Sequence, residues 1–552
     1  MSVLAGLVLL NACSGSTDGM TGAGGQGANA GSGGTAADGS GGAGGDGTAG
    51  SMPIAGTAGV AGSVGSAGTA GAGAAGSAGT AGSGGTAGSG GTAGSGGTAG
   101  SGGTAGSGGT AGSGGTAGSG GTAGSGGTAG SGGTGGTSGG GGAGGSGGTA
   151  GGAGTAGSGG SGSTHWVGTW TASPYLDTGN QPPASLTGSV LRQIAHVSLG
   201  GSQIRVQFSN LGGNGAVTIS AAHIALCLAT PLVDSTIDVS TDKALAFSGN
   251  AGATIAQGAE IWSDPINFNV AAQGNISITT AFSSVPSNVI GHAGSRTTSY
   301  EQTASTNVTA ASMTGAQKFE HWYYISGIDV MADASAKGIV AIGDSITDGR
   351  GSDNNKNDRW TDDLAVRLHA NAATADVSMM NQGIGATNLV GSGGTAAQAR
   401  FNRDVLGRSG VRYAIVLDGV NDIGGSADSD PAAAATLANM KVAYASMISA
   451  AHNKGLLMYG ATISPFGGNN PGYYTVRHET LRQDVNTYIK SGVFDGVIDF
   501  DAALTDGGSP PKLQTIYATW NIPGVGGTDG LHPSPAGYQK MGDTPALTLF
   551  TP

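Results

Sequence analysis

The chain has 552 residues, and most of its 115 glycines lie before residue 163, leaving 164–552 with an ordinary globular composition and room for two domains. A net charge of −12 with a pI near 5.0 argues against nucleic acid as a partner, because no block of Lys or Arg exists to neutralise phosphates. Two cysteines, Cys13 and Cys227, give no zinc-site spacing, and Cys227 sits in an apolar stretch that predicts an inert thiol.

Residues 1–13 begin with an apolar run, Val3 to Leu10, too short to span a bilayer but suited to the core of an export signal. The end of this segment, Leu10-Asn11-Ala12-Cys13, resembles a bacterial lipobox, which implies lipidation at Cys13. An ordinary secretion signal cut nearby is the alternative, and both export the protein. The expected location is the outer membrane or cell surface as a lipoprotein, otherwise the medium. Membrane contact is expected only through the lipid. Residues 14–163 are low complexity, with Ala-Gly-Ser-Gly-Gly-Thr repeating from about Thr80. No residue larger than Ala recurs in that unit, so it predicts neither a core nor a β-helix but a disordered tether. About 150 such residues have an r.m.s. span on the order of 60–75 Å.

Residues 164–334 switch to period two. Ile204, Val206 and Phe208 alternate with Arg205 and Gln207, and Ile266, Phe268 and Val270 alternate with Asn267 and Asn269. Ile276 and Ile278 continue the pattern, Gly-rich turns separate the runs, and no helix is evident. These features predict an antiparallel β sandwich or jelly roll.

Residues 335–552 alternate strands with helices. Gly338–Ile342, Val377–Met380, Tyr413–Leu417, Leu457–Thr462 and Gly496–Phe500 are expected strands. Arg359–Ala370 (Trp360, Leu364 and Leu368 on one face), Ala432–Ala451 and Tyr474–Lys490 are expected helices. Apolar strands joined by helices predict a parallel sheet covered on both faces, with ligands beyond the carboxyl ends of its strands. Three segments lie there: "GDSITDG" (343–349), "NQGIGATN" (381–388) and "DGVND" (418–422). A fourth block, "TDGLHPSPAGY", holds Asp529 and His532.

A serine hydroxyl needs a base to become a nucleophile. His532 lies in a loop three residues after a carboxylate, so Asp529 can hold one ring nitrogen and leave the other for Ser345. His196, His223 and His369 fall in segments of expected packing and read as structural. Asp344, Asp348 and Asp422, each just after a strand, read as caps or loop ties. Zinc-protease and phosphate-loop motifs are absent from the sequence, and no metal or other cofactor is expected.

Together the four blocks, in this order, resemble the SGNH or GDSL-type hydrolases over residues 338–552. The resemblance implies a flavodoxin-like parallel sheet, Ser345, Asp529 and His532 as a catalytic triad, and an oxyanion hole made by Ser345 N–H, the Asn421 side chain and a backbone N–H of the second block. Where the family pattern has Gly this chain has Ala386. Its N–H serves if φ stays negative, with Gly385 as the alternative register. "GTWTASP", "LRQIAHVSLGG", "IRVQFSN", "IWSDPI" and "HWYYISGIDV" further resemble the N-terminal β domain of secreted esterases of this family. Trp170, Trp262 and Trp322 are core residues or a sugar-stacking platform, and His292 and Arg296 are expected to reach over the site. The implied activity is carboxylic ester hydrolysis through an acyl-enzyme, with acetylated polysaccharide as the expected substrate. The rivals are a lysophospholipase or lipase and a binding protein without catalysis.

Overall fold

Ile204, Val206 and Phe208 all point inward from strand Gly201–Ser209 and are fully buried. The computed structural model describes residues 164–228, 232, 234–518 and 528–551. The expected signal, Cys13 and the expected repeat tether lie outside the described residues. One antiparallel sheet runs Thr164–Thr171, Ile325–Asp333, Gly201–Ser209, with Glu260–Trp262 and Ile266–Val270 along its far edge. A second has Val190–His196, Asn275–Ser284 and Val217–Leu226 at its centre. Inward residues of both sheets, among them Val206, Ile328, Ile219 and Ile278, share one apolar core, the geometry of a sandwich. Among the described residues of this region the only helical piece is the three-residue turn Val239–Thr241.

The second half has its own core. Five parallel strands lie in the spatial order Val377–Gly383, Lys337–Gly343, Val411–Leu417, Leu457–Ala461, Gly496–Ile498. In chain order this is 2-1-3-4-5, the flavodoxin-like arrangement. Ile339 to Ile342 are all fully buried because helices cover both faces. Helix Trp360–Ala370 buries Trp360, Leu364 and Leu368 as the stripe predicts. Helices Asp430–Asn453, Val476–Tyr488 and Pro535–Asp543 start at Ser429, Thr475 and Ser534, each of whose hydroxyls accepts a first-turn N–H.

Several strand ends differ from the sequence expectation by one to three residues, and two of these matter for the site and the fold. The second strand continues through Asn381, Gln382 and Gly383, which pair with Ala341, Ile342 and Gly343. The last strand stops at Ile498, because the Asp499 carboxylate accepts the Ala502 N–H and opens helix Phe500–Leu504, so Phe500 is buried as a helical residue.

Strand Val377–Gly383 is an edge of the parallel sheet, and the sandwich strand Thr164–Thr171 lies against it. Ser378 Oγ donates to Gly168 O (2.7 Å), Met379 N–H to Ser198 Oγ (2.9 Å), and Thr171 Oγ1 to Asn381 O (3.0 Å). The sandwich thereby covers an edge that would otherwise offer unpaired backbone to other chains. Fully buried Asp404 also joins the halves, accepting bonds from Ser173 Oγ, Arg400 and Arg403.

Candidate active site

Strand Lys337–Gly343 delivers the chain to the sheet's carboxyl edge, where Asp344 Oδ1 accepts the Ile346 N–H (2.9 Å) and starts the four-residue helix Ser345–Asp348. The helix lies flat on the end of the neighbouring strand. A Cβ on Gly383 would stand 2.1 Å from the Asp348 nitrogen, and one on Gly343 would stand 2.2 Å from Leu417 O. No side chain fits at either glycine, which is why the strand ends approach so closely.

Ser345 Oγ lies 2.7 Å from His532 Nε2, and His532 Nδ1 lies 2.6 Å from Asp529 Oδ2. Asp529 Oδ1 also accepts the N–H groups of Leu531 (3.0 Å) and His532 (2.9 Å), so the turn holding the imidazole is closed on itself. With Asp529 as acceptor, Nδ1 carries the proton and Nε2 is left to accept from Ser345. Partial burial of the Asp529 carboxyl opposes its charge, but the bonds from His532 and Leu531 outweigh this and hold it below the usual carboxylate range. Asp529 does not cap the last helix; Ser534 does.

Asn421 sits in the first turn of helix Val420–Gly424, beyond the third strand. Its Nδ2 donates to Thr387 O (2.8 Å), and its Oδ1 accepts from the Tyr473 hydroxyl (2.9 Å). These partners fix the amide and leave one Nδ2–H for another acceptor. Asp422 ties the same loops by accepting the N–H groups of Leu389 and Val390. Ala386 departs from expectation: its φ is +61°, left-handed rather than negative. The tight turn that follows Gly383 demands this conformation, which Gly adopts freely and Ala at a cost of about 1–2 kcal/mol. The adjacent Gly385 faces Asp348, whose Oδ2 would lie 3.4 Å from a Cβ there. Ala386→Gly should therefore leave kcat within about twofold and raise stability by roughly 0.5–1 kcal/mol after the added freedom of the unfolded chain is subtracted. Thermal unfolding and p-nitrophenyl acetate hydrolysis check this.

Two buried carboxyls, Asp344 and Asp418, lie close to Ser345. Burial, with Asp422 nearby, pushes Asp344 up to about 7, and burial with Asp344 nearby raises Asp418 well above the ordinary range. Asp418 Oδ2 has no hydrogen-bond partner. The two share a place that tolerates little negative charge. An unfolded carboxyl titrates near 3.9. Raised folded values mean that the folded state binds more protons between there and about 7, so stability falls as pH rises through that window. Asp529 and Asp348, both lowered, act oppositely: their contribution is lost as pH falls below about 4. Asp418→Asn should raise the thermal midpoint at pH 7.5 and leave it nearly unchanged at pH 4.5. Equal pH dependence in both proteins contradicts the assignment.

The other expected residues fall away from the relay. Trp170 and Trp322 meet edge to face (4.9 Å) and are buried in the sandwich core. Half-buried Trp262 stacks, with Trp166, on the Arg205 guanidinium. His292 is buried against Asp348, and Arg296 donates to Gly349 O, so both contact the turn that follows Ser345. Asp348 is thus an ion-pair partner rather than a cap. His196 bridges Asn275 and Gln273, and His223 pairs with Asp242, but His369 is exposed, because it lies on the outer face of its helix. Cys227 is half-buried, and burial pushes its thiol up to about 12. Among the described residues no group of three or more His, Cys, Asp or Glu side chains is placed to hold a metal ion.

Two residues that support the site were missed. Fully buried Arg400 donates to Gly343 O (2.9 Å) and Gln382 O (2.5 Å), tying together the ends of the two strands that carry the first and second blocks. Tyr473, about fifty residues after Asn421, orients its amide. The Arg400/Asp404 spacing of four on a helix is the one local signal that pointed to either.

Residues 341–540 match the model of the GDSL-like lipase/acylhydrolase family. Solved structures similar to part of the chain include a lipolytic protein of the G-D-S-L family from Desulfitobacterium hafniense DCB-2, with 19% identity over 38% of this chain and 97% of that one (TM-score 0.28). A GDSL-like lipase from Bacteroides thetaiotaomicron VPI-5482 has 19% identity over 38% and 85% (TM-score 0.26). An acetylxylan esterase from Geobacillus stearothermophilus has 19% identity over 38% and 91% (TM-score 0.27). None of the curated proteins compared matches the chain.

Proposed function

We propose that this chain, a carboxylic ester hydrolase whose residues 341–540 belong to the GDSL-like lipase/acylhydrolase family, is an exported serine esterase that removes acetyl groups from polysaccharide. The observation that carries the serine mechanism is the continuous hydrogen-bond relay from Ser345 Oγ through His532 to Asp529. Ser345 Oγ attacks the ester carbonyl while His532 Nε2 takes its proton and Asp529 stabilises the imidazolium. The oxyanion accepts from Ser345 N–H and the remaining Asn421 Nδ2–H; the positive φ of Ala386 fails the condition under which its N–H would be the third donor. Collapse expels the alcohol, which receives the proton from His532. Water then attacks the acyl-enzyme with His532 as base, and the acid leaves from regenerated Ser345.

The polysaccharide reading rests on the lipobox-like end at Cys13 and the long tether, which suit an enzyme working on material outside the cell. A lipid ester is the second reading, because the family's own description includes lipases. Purified enzyme offered acetylated xylan or pectin and, separately, lysophosphatidylcholine decides between them. Release of acetate with at least about 100-fold higher kcat/KM supports the first, a gap of about 2.7 kcal/mol in transition-state binding. The reverse preference replaces it with a lysophospholipase. No turnover of any ester leaves a binding protein. Mass spectrometry of the mature N-terminus tests the anchor: an unmodified Cys13 in the exported protein removes it.

A further inference from the structure

The helix that carries Ser345 is one turn long. Asp348 N–H donates to Asp344 O (2.9 Å), and the N–H groups of Gly349 and Arg350 both donate to Ser345 O (3.0 and 2.9 Å). Whatever holds residues 348–350 therefore holds Ser345. The sandwich loop that begins at His292 provides part of that hold, beside Arg359 and the Tyr538 hydroxyl, which donates to Arg350 O (2.7 Å). His292 ends strand Ile290–His292 and is 5% exposed, with Trp322 and Tyr175 against its ring. Its Nδ1 donates to Ser173 O (3.0 Å), and its Nε2 lies 3.0 Å from Asp348 Oδ1.

The same loop closes around the turn. Gly294 lies so near that a Cβ there would stand 2.2 Å from Asp348 Oδ2. Arg296 Nε donates to Gly349 O (3.2 Å). Arg359 Nε donates to Asp348 O (2.9 Å), while its Nη2 donates to the carbonyls of Gly294 and Ser295. A Ser173 carbonyl can only accept, so Nδ1 carries a proton. Nε2 then meets the Asp348 carboxyl as the ring's second anchor. Burial alone would raise the Asp348 carboxyl, but His292, Arg296 and Arg359 hold it below the ordinary range.

We infer that His292 is a positioning residue for the hydrolase reaction: through its bond to Asp348, the β sandwich sets where Ser345 stands relative to His532. The inference rests on the proposed serine mechanism. Its cause is geometric, since displacements of about 1 Å in a reacting group can cost on the order of 100-fold in rate. The β sandwich is then part of the catalytic apparatus as well as cover for the sheet edge.

The test uses the full chain and p-nitrophenyl acetate, with kcat expressed per folded molecule, well below each variant's own Tm. His292→Ala should lower kcat about 10- to 100-fold with KM changed less than about threefold. His292→Gln, whose amide can still reach Asp348, should recover most of the loss. If His292→Ala does not fold, Asp348→Asn and Asp348→Leu make the same comparison: the bond-keeping Asn variant stays near wild type and the Leu variant falls at least tenfold. A bond-breaking variant with a lowered Tm and a kcat within twofold of wild type overturns the inference, because a merely structural contact behaves that way. So does a Gln or Asn variant that loses as much as its bond-breaking counterpart. Ser345→Ala separates the two levels. If it is as active as wild type, the serine mechanism itself fails; if it is inactive while His292→Ala is normal, only the positioning role fails.

Discussion

Ser345→Ala lowers kcat/KM for p-nitrophenyl acetate by about 10⁴- to 10⁶-fold and leaves the fold intact. This is the largest effect expected in the molecule, about 5–8 kcal/mol of transition-state stabilisation. The fold survives because the lost hydroxyl makes its bond to His532, which remains anchored by Asp529. His532→Ala should be about as damaging. Asp529→Asn should cost about 10⁴-fold, since an amide can donate to Nδ1 and so place the ring proton on the wrong nitrogen. The three act as one unit, so Ser345→Ala/His532→Ala should be no worse than Ser345→Ala alone. Multiplying losses would mean that the relay seen between the side chains is not the one used.

Asn421→Ala should reduce kcat by about 10²–10³-fold with little change in KM, the usual cost of one oxyanion donor. The amide is held by Thr387 O and the Tyr473 hydroxyl, so its remaining N–H cannot swing away from the sheet edge. Removing it also takes a donor from Thr387 O, at about 1–3 kcal/mol of stability if that carbonyl is left buried and unpaired, while the Tyr473 hydroxyl keeps Val420 O (3.1 Å) as acceptor. Asn421→Asp separates chemistry from packing: it keeps the size but puts negative charge where the oxyanion forms, and should lose at least as much activity as Ala. Tyr473→Phe should cost roughly tenfold, less than loss of the donor itself, by freeing the amide to rotate. An Asp variant more active than the Ala variant rules out Asn421 as an oxyanion donor.

What was legible in the sequence was local or periodic. Fully apolar runs such as Ile339 to Ile342 marked the parallel strands, and alternation around Val206 marked the sandwich. Ser345, Asp529 and His532 stood out because each block ends a strand or precedes the last helix. What stayed hidden depends on residues distant in the chain with no shared period. His292 and Asp348 are 56 positions apart and meet where the sandwich packs on the parallel-sheet half. Asn421 and Tyr473 are 52 apart. The sign of φ at Ala386 was also hidden, because the residue type favours a negative angle and only the surrounding turn reverses it. Reading Trp170 and Trp322 as either core or platform needed the second sheet, which buries both.

The central claim is that Ser345 carries the acyl group. Incubating the protein with a p-nitrophenyl alkylphosphonate, which mimics the tetrahedral intermediate, and mapping the adduct by peptide mass spectrometry tests it most directly. The account predicts one equivalent of phosphonate on the Ser345 peptide, loss of esterase activity in parallel with labelling, and no label in Ser345→Ala. Label on another residue, or full inactivation with Ser345 unmodified, would contradict it.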